Sequence, residues 1–476
     1  RSLFTDHRAG SPPAYTFHAL FGEFLRARAA ARMTAGALRS VHLLAAKILV
    51  DRDQADAAMA HLIEAEAWDE TLSLLVAQAG PFVAQGRTTT VRAWILALPE
   101  AQRSGPHACY WFGYCEMAAD PTSALQHFER AHQGYLAQGD ELGAFYVAAA
   151  AADAIVFLGT SLDALGFWLP TLEHYAPTYL SERNMETDLR VLPGLLATFV
   201  YRETGHPLTA PLADLAERLL DQPLASSQRI MLGSLAYYLL WTGQPERLDR
   251  IMLKIDRLCM AQDAAPATLM RWYGVGVIVR SLRGHLAEAL QQANMALALA
   301  RHGPAPLRTK AELLVALATV AARNVDLARV HLMEAAAAMD SGNLIDTTTY
   351  EFQHGLLLML EGNWHGAAQR MRASVASSLE SGWPMREHIA LLGLTLALAR
   401  MDAFDEAQET LRAVQDHRFY AACRWHQWLA ALIEAYLAER RGDRAHCLVM
   451  LERAFKLGRN NGYDFGPMPY CCGDMM

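Results

Sequence analysis

The chain has 476 residues, 53% of them hydrophobic and 19% charged, with a formal net charge of −8 at pH 7. That length exceeds one simple core and calls for several domains or a repeat array, and the acidic balance argues against a main surface that binds nucleic acid. The 7 cysteines are odd in number and scattered, with no C-x-x-C and no metal-ligand spacing, so they read as reduced, cytoplasmic thiols and no metal site is expected.

In chain order, "RSLFTDHRAGSPPAYTFHALFGEFL" holds a short apolar pair, a Gly/Pro-rich turn and "YTF", which predicts a small hairpin ahead of a helix. Arg26, Arg28 and Arg32 then form a solvated helix face. From about residue 33 the apolar spacing is helical almost throughout, which predicts an all-α chain. The stretch "GPFVAQGRTTTVRAWILALPE" (Gly80 to Glu100) has the look of a phosphate loop. Such a loop needs four residues between its glycines, then Lys and Ser/Thr, at a strand-to-helix junction. Here five residues separate Gly80 from Gly86, Arg87 stands where lysine belongs, and the preceding residues have helical spacing. We read Thr88, Thr89 and Thr90 as a helix N-cap and the rest as a helix ending before Pro99. The longest apolar run, Ala144 to Gly159, is interrupted by Asp153 and falls short of the roughly 18–20 residues that span a bilayer, so it predicts a buried helix.

The second half repeats itself. Short breaks recur at Gly243, Gly284, Arg323, Gly362, Asp402 and Gly442, at intervals of 41, 39, 39, 40 and 40 residues. Five residues after each break stand Leu248, Ala289, Ala328, Ala367, Ala407 and Cys447; twelve after stand Ile255, Ala296, Ala335, Ser374, Val414 and Ala454. Mostly small residues at fixed points let two helices approach closely, and such a period in a helical chain predicts an α-α superhelix, a tetratricopeptide-like solenoid of helix hairpins. The period exceeds the ~34 residues of the standard unit, which an extra turn per helix and a longer connection supply. Less regular units precede the series, with breaks near Ala119, Gly159 and Gly205.

Catalytic signatures are missing: there is no H-E-x-x-H, G-x-S-x-G, G-x-G-x-x-G or D-D-x-x-D, so no enzyme activity and no cofactor are expected of this stretch. The richest polar-aromatic clusters are "RWYG" (Arg271 to Gly274), "YEFQH" (Tyr350 to His354), "MREH" (Met385 to His388) and "RWHQW" (Arg424 to Trp428), near the starts of first helices. First helices of a solenoid line its concave surface, where aromatic rings stack on a ligand and Arg, Gln or His orient it. Trp272, Tyr350, His354, Arg386 and Trp425 are therefore the candidate ligand-binding residues, against the plainer alternative that the rings fill gaps between helices.

Three stretches resemble one known family. "YTFHALFGEFLRARA" is similar to the end of the winged helix in MalT-like signal-transducing ATPases, with Tyr15, Phe17, His18, Leu20, Phe21, Phe24 and Leu25 on the family pattern. "HLLAAKILVDRDQADAAMAHLIEAEAWDETLSLL" follows as that family's helical linker does, and Gly86, Trp94, Leu98 and Pro99 match its G-x-x-x-x-x-x-x-W-x-x-x-L-P. The resemblance implies that residues 1–32 end a winged-helix domain, 33–100 form a helical linker and 101–476 form a sensor solenoid. It also implies a cytoplasmic transcription regulator whose ATP-binding and DNA-binding modules lie outside this sequence, possible homo-oligomer formation in the active state, and a small-molecule inducer in the groove. The ending "GYDFGPMPYCCGDMM" resembles the subgroup whose solenoid leads into an activator domain of the antibiotic-regulator type. The alternative is a scaffold whose groove takes a peptide or regulatory protein; a closed aromatic pocket favours the first and an open charged channel the second.

Overall fold

The structure is a computed structural model that describes residues 5–8, 14–117, 119–182, 185–261, 264, 266–301, 303 and 305–463. The chain divides into two compact units, residues 1–115 and 116–476. The ending that resembles the activator subgroup, with Cys471 and Cys472, lies outside the described residues; the five described cysteines are free thiols.

Unit 1 opens with the expected hairpin, β1 (Thr5–Arg8) antiparallel to β2 (Ala14–Phe17), Thr5 opposite Phe17. Then follow α1 (Ala19–Arg32), α2 (Ala35–Val50), α3 (Ala55–Glu64), α4 (Trp68–Ala84), α5 (Thr88–Ala97), α6 (Glu100–Arg103) and α7 (Pro106–Glu116). Arg26, Arg28 and Arg32 are exposed on α1. The loop-like stretch of the sequence is a helix–turn–helix joint. Gly80 is buried inside α4, and Gly86, at φ 77°, turns the chain into α5. The cap differs from expectation: Arg87 occupies it, without a side-chain cap bond, and the three threonines form the first turn. Arg87 is held elsewhere, since its guanidinium pairs with Asp56 and lies 4.1 Å over the Phe82 ring. Trp94 packs on Phe82 at 4.7 Å and Leu98 is buried, so this motif's tryptophan and leucine close a hydrophobic joint.

Unit 2 is a superhelix of helix hairpins. Its elements are α8 (Pro121–Ala137), α9 (Glu141–Leu158), α10 (Leu165–Glu182), α11 (Met185–Arg202), α12 (Thr209–Leu219), α13 (Ser226–Ile230), α14 (Ser234–Thr242), α15 (Pro245–Cys259), α16 (Pro266–Leu282), α17 (Leu286–Ala300), α18 (Ala305–Ala321), α19 (Val325–Ala338), α20 (Leu344–Leu360), α21 (Trp364–Glu380), α22 (Pro384–Arg400), α23 (Phe404–Asp416), α24 (Arg424–Arg440) and α25 (Arg444–Asn461). Every break found by periodicity is a left-handed turn between a first and a second helix. Gly243, Gly284, Gly362 and Gly442 have φ of 74°, 76°, 75° and 78°, and Arg323 and Asp402 adopt 59° and 60° without being glycine. A residue with a Cβ costs about 1–2 kcal/mol there, so the turn is imposed by the helices on either side. Both small-residue positions are buried in all six hairpins, from Leu248 and Ile255 to Cys447 and Ala454.

Helix α9 contains the long apolar run. By length and composition it is long enough to cross a membrane, yet 67% of it is buried inside the protein, against α8, α10 and α11. Asp153, the acid that interrupts it, is paired at 2.6 Å with Arg271 of α16.

Candidate functional site

The superhelix returns on itself. Helix α14 packs against α24, and α11 against α22. Polar bonds fasten this closure. Tyr463 donates its hydroxyl to the Leu240 carbonyl at 2.9 Å, and the Arg202 guanidinium donates to the Gly382 carbonyl at 2.7 Å. The loop after α9 is tied down the same way. The Leu162 amide reaches the Ser381 carbonyl at 2.8 Å, and the Ile345 amide reaches the Thr160 carbonyl at 3.1 Å. Lys310 caps the end of α9 through the Leu158 carbonyl at 2.9 Å, where cations are favoured by the helix dipole.

At the centre of the closure lies a cavity of about 50 Å³ lined by first helices α11, α14, α16, α18, α20 and α22 and by the turn entering α22. Its walls are aromatic and aliphatic. Tyr237 and Trp241 stack with centroids 6.2 Å apart and planes 10° from parallel, and Tyr201 meets Tyr237 edge-on at 5.9 Å. Arg386, also in the lining, lays its guanidinium 4.7 Å from both the Phe352 and Trp383 rings, a cation–π arrangement that strengthens when desolvated. Burial pushes the Tyr201 phenol up to about 12 and raises the Tyr237 phenol well above the usual tyrosine range, so both keep their protons at neutral pH.

On residues of the lining, the indole nitrogens of Trp241 and Trp383 and the hydroxyl of Ser281 have no hydrogen-bond partner. Elsewhere in these helices hydroxyls bond back to the preceding turn, as Thr319 does to Val315 at 2.8 Å and Thr395 to Leu391 at 2.8 Å. Unpaired buried polar groups are rare and costly, about 1–3 kcal/mol each.

Behind Trp241 lies a histidine pair. His388 Nε2 donates to the Val414 carbonyl at 2.8 Å, so its Nδ1 is the acceptor for His426 Nδ1–H at 2.6 Å. This assignment leaves His426 Nε2 a bare lone pair, fully buried and without a partner, in a ring 5.4 Å from that of Trp241. Burial lowers His388 to about 3 and His426 well below the usual histidine range, so both are neutral.

The sequence-derived candidates fall at different depths around this cavity. Arg386 lines it. Trp425 stands one layer behind, edge-on to Trp241 at 5.6 Å. Tyr350 and His354 pack on each other at 5.5 Å, but Phe352 and Leu356 are the α20 residues on the cavity. A two-residue offset turns about 200° around a helix, which carries Tyr350 and His354 to the other side. Trp272 is fully buried at the start of α16, its N–H donated to Asp256 at 2.9 Å, while α16 meets the cavity at Ile278, Ser281 and Leu282. The lining residues that sequence reasoning missed have a periodic signature: Trp241, Leu282 and Ala321 each stand two residues before a break.

One further cluster has metal-ligand composition, Glu173, Glu203 and His206. His206 Nδ1 accepts the Leu208 amide at 3.2 Å, which leaves its proton on Nε2, 3.7 Å from Glu173. Glu203 meanwhile faces Arg418 at 3.4 Å. The cluster is an ion-pair network with no free imidazole lone pair.

No family model and no curated protein matches this sequence. Solved structures resemble it only loosely. A Rap protein complexed with competence and sporulation factor is 11% identical, over 73% of this chain and 98% of that one, with a TM-score of 0.42. A signal-transduction ATPase with a tetratricopeptide-repeat sensor from Pyrococcus horikoshii is 12% identical over 74% of this chain, which spans 57% of its length, with a TM-score of 0.34. Yeast Tom70 is 13% identical, over 89% and 92% of the two chains, at 0.35. At these values the fold rests on the hairpins themselves, and the function on the cavity.

Proposed function

We propose that unit 2 is the ligand sensor of a regulator, with a small molecule seated in the central cavity. The observation that carries this reading is the aromatic cavity where six first helices meet, lined by residues with unpaired donors. Its size supplies the mechanism. An apolar cavity of about 150 Å³ accepts benzene, and this one has about 50 Å³. A ligand therefore binds only a form whose first helices have moved apart, and differential affinity for that form is what lets it shift the equilibrium. The contacts that must give are those fastening α11 and α14 to α22 and α24, so ligand entry loosens the closure of the superhelix and alters its outer surface.

With the motifs in residues 1 to 100, the reading extends to an ATP-dependent transcription regulator of the MalT-like kind working in the cytoplasm. ATP would belong to a separate module, DNA contact to another, and oligomer formation to the activated state. A thermal-shift screen of the full chain against a metabolite library tests the sensor reading. At least one small molecule should stabilise it, with hydrogen-exchange changes concentrated on α14, α16, α18 and α22. Stabilisation by peptides alone, with protection on the second helices, would replace it with the scaffold alternative.

A further inference from the structure

The polar inventory of the cavity is lopsided, and the lopsidedness specifies a ligand class. Indole nitrogens and guanidinium groups only donate. The lining supplies such donors from Trp241, Trp383 and Arg386, and adds the hydroxyls of Ser281, Tyr201 and Tyr237, which act either way. Among the described residues lining the cavity no side chain is a carboxylate, an amide or an imidazole. Two of the unpaired donors sit deep, Trp241 at 2% exposure and Ser281 at 1%. A site built to hydrogen-bond a ligand group rejects analogues that leave its buried donors unpaired.

Sugars offer a donor with every acceptor, and their hydroxyl protons would meet indole and guanidinium groups that cannot accept them. Cationic amines bring only donors and repel Arg386. The lining combines the stacked pair Tyr237 and Trp241 with Phe352, Trp383 and the flat guanidinium, surfaces suited to a planar ring.

We infer that the cavity takes a planar aromatic compound of one or two rings whose polar atoms are carbonyl or carboxylate oxygens, which accept hydrogen bonds from the Trp241 and Trp383 N–H groups and the Ser281 hydroxyl. This rests on the sensor reading above. The ligand's ring displaces the apolar contacts across the cavity, and its oxygen satisfies donors that the closed form leaves unpaired, so binding favours the open form on both counts.

The test titrates the full chain with 2-naphthoate, 2-acetonaphthone, 2-naphthylmethylamine, naphthalene and sucrose, read by tryptophan fluorescence and calorimetry. The two oxygen-bearing probes should bind at least tenfold tighter than the amine, and sucrose should give no heat. Ser281→Ala removes one donor with little change of shape, and Trp241→Phe and Trp383→Phe each remove one donor together with part of a ring, so naphthalene on the same variant is the reference. Each should weaken the oxygen-bearing probes three- to tenfold relative to naphthalene measured on the same variant, with circular dichroism confirming the fold. Equal or tighter binding of the amine or of sucrose overturns the ligand class, as does an unchanged preference in all three variants. Ala321→Phe, which fills the cavity, separates that failure from failure of the sensor reading. Probes of the wrong class that it abolishes leave the cavity a binding site for another ligand. Binding that survives it, or no binding by any probe, removes the proposed class; survival also places binding outside the cavity.

Discussion

Asp153 is the acid that breaks the longest apolar run, and replacing it tests how the superhelix is held closed. In Asp153→Ala the Arg271 guanidinium loses the acceptor at 2.6 Å while remaining in a site where its side chain is 13% exposed. Its other terminal nitrogen already lacks a partner, and what remains for the first is the Met231 thioether sulfur at 3.9 Å, a weak acceptor. Breaking a buried pair from one side costs about 3–5 kcal/mol, a large share of the roughly 5–15 kcal/mol that keeps a domain folded. Removing both charges avoids the stranded cation, and Asp153→Ala/Arg271→Met should recover most of the loss. Urea denaturation followed by far-UV circular dichroism and tryptophan fluorescence measures both variants. A loss below about 1 kcal/mol in the single variant, the range of exposed pairs, would refute the argument. Losses that simply add in the double variant would refute it too, because the stranded charge is then not the cause.

Other outcomes follow from the packing and the buried histidines. Gly194→Ala on α11 would place a Cβ 2.0 Å from the Ala149 carbonyl oxygen of α9, so the helices must separate, at a cost of at least about 1–3 kcal/mol; a normal urea midpoint would contradict the close approach. Ala335→Leu fills a fully buried small position and should destabilise by about 1–3 kcal/mol, while Ala336→Leu on the exposed face stays within about 0.5 kcal/mol; equal effects would contradict the hairpin register. His388 and His426 are held neutral when folded and bind protons near pH 6.5 when unfolded. Their contribution is intact above that pH and is lost on acidification, by about 1.4 kcal/mol per pH unit for each histidine. Asp346, raised to about 6 by burial, acts in the opposite direction below pH 6 and offsets roughly one of the two. Stability should therefore begin to fall as the pH drops through about 6.5 and keep falling, at a net slope of about one histidine, down to about pH 4, and His426→Phe should flatten that fall; an unchanged slope would show water reaching the pair.

The solenoid was legible because its signals are local. A left-handed turn favours glycine, and four of six breaks carry it; Arg323 and Asp402 were recoverable only from the spacing. Small residues at fixed offsets marked helix contacts that are indeed buried. The cavity was not legible in the same way, because it forms where the superhelix returns. Arg202 meets Gly382 across 180 residues, and Tyr463 meets Leu240 across 223. Period fixes how neighbours stack and says nothing of which distant hairpins meet. Aromatic clustering then pointed to helix starts, whereas α14, α16 and α18 meet the cavity near their ends. In "YEFQH" the polar-looking Tyr350 and His354 turn away, and Phe352 between them does the lining.

The most direct measurement is a crystal structure of the full chain with a small molecule that stabilises it. The account predicts ligand density between Trp241, Trp383 and Arg386, with α11 and α14 displaced from α22 and α24 and the Tyr463–Leu240 bond lengthened or broken. Density elsewhere on the surface, with the cavity still closed at about 50 Å³, would contradict it.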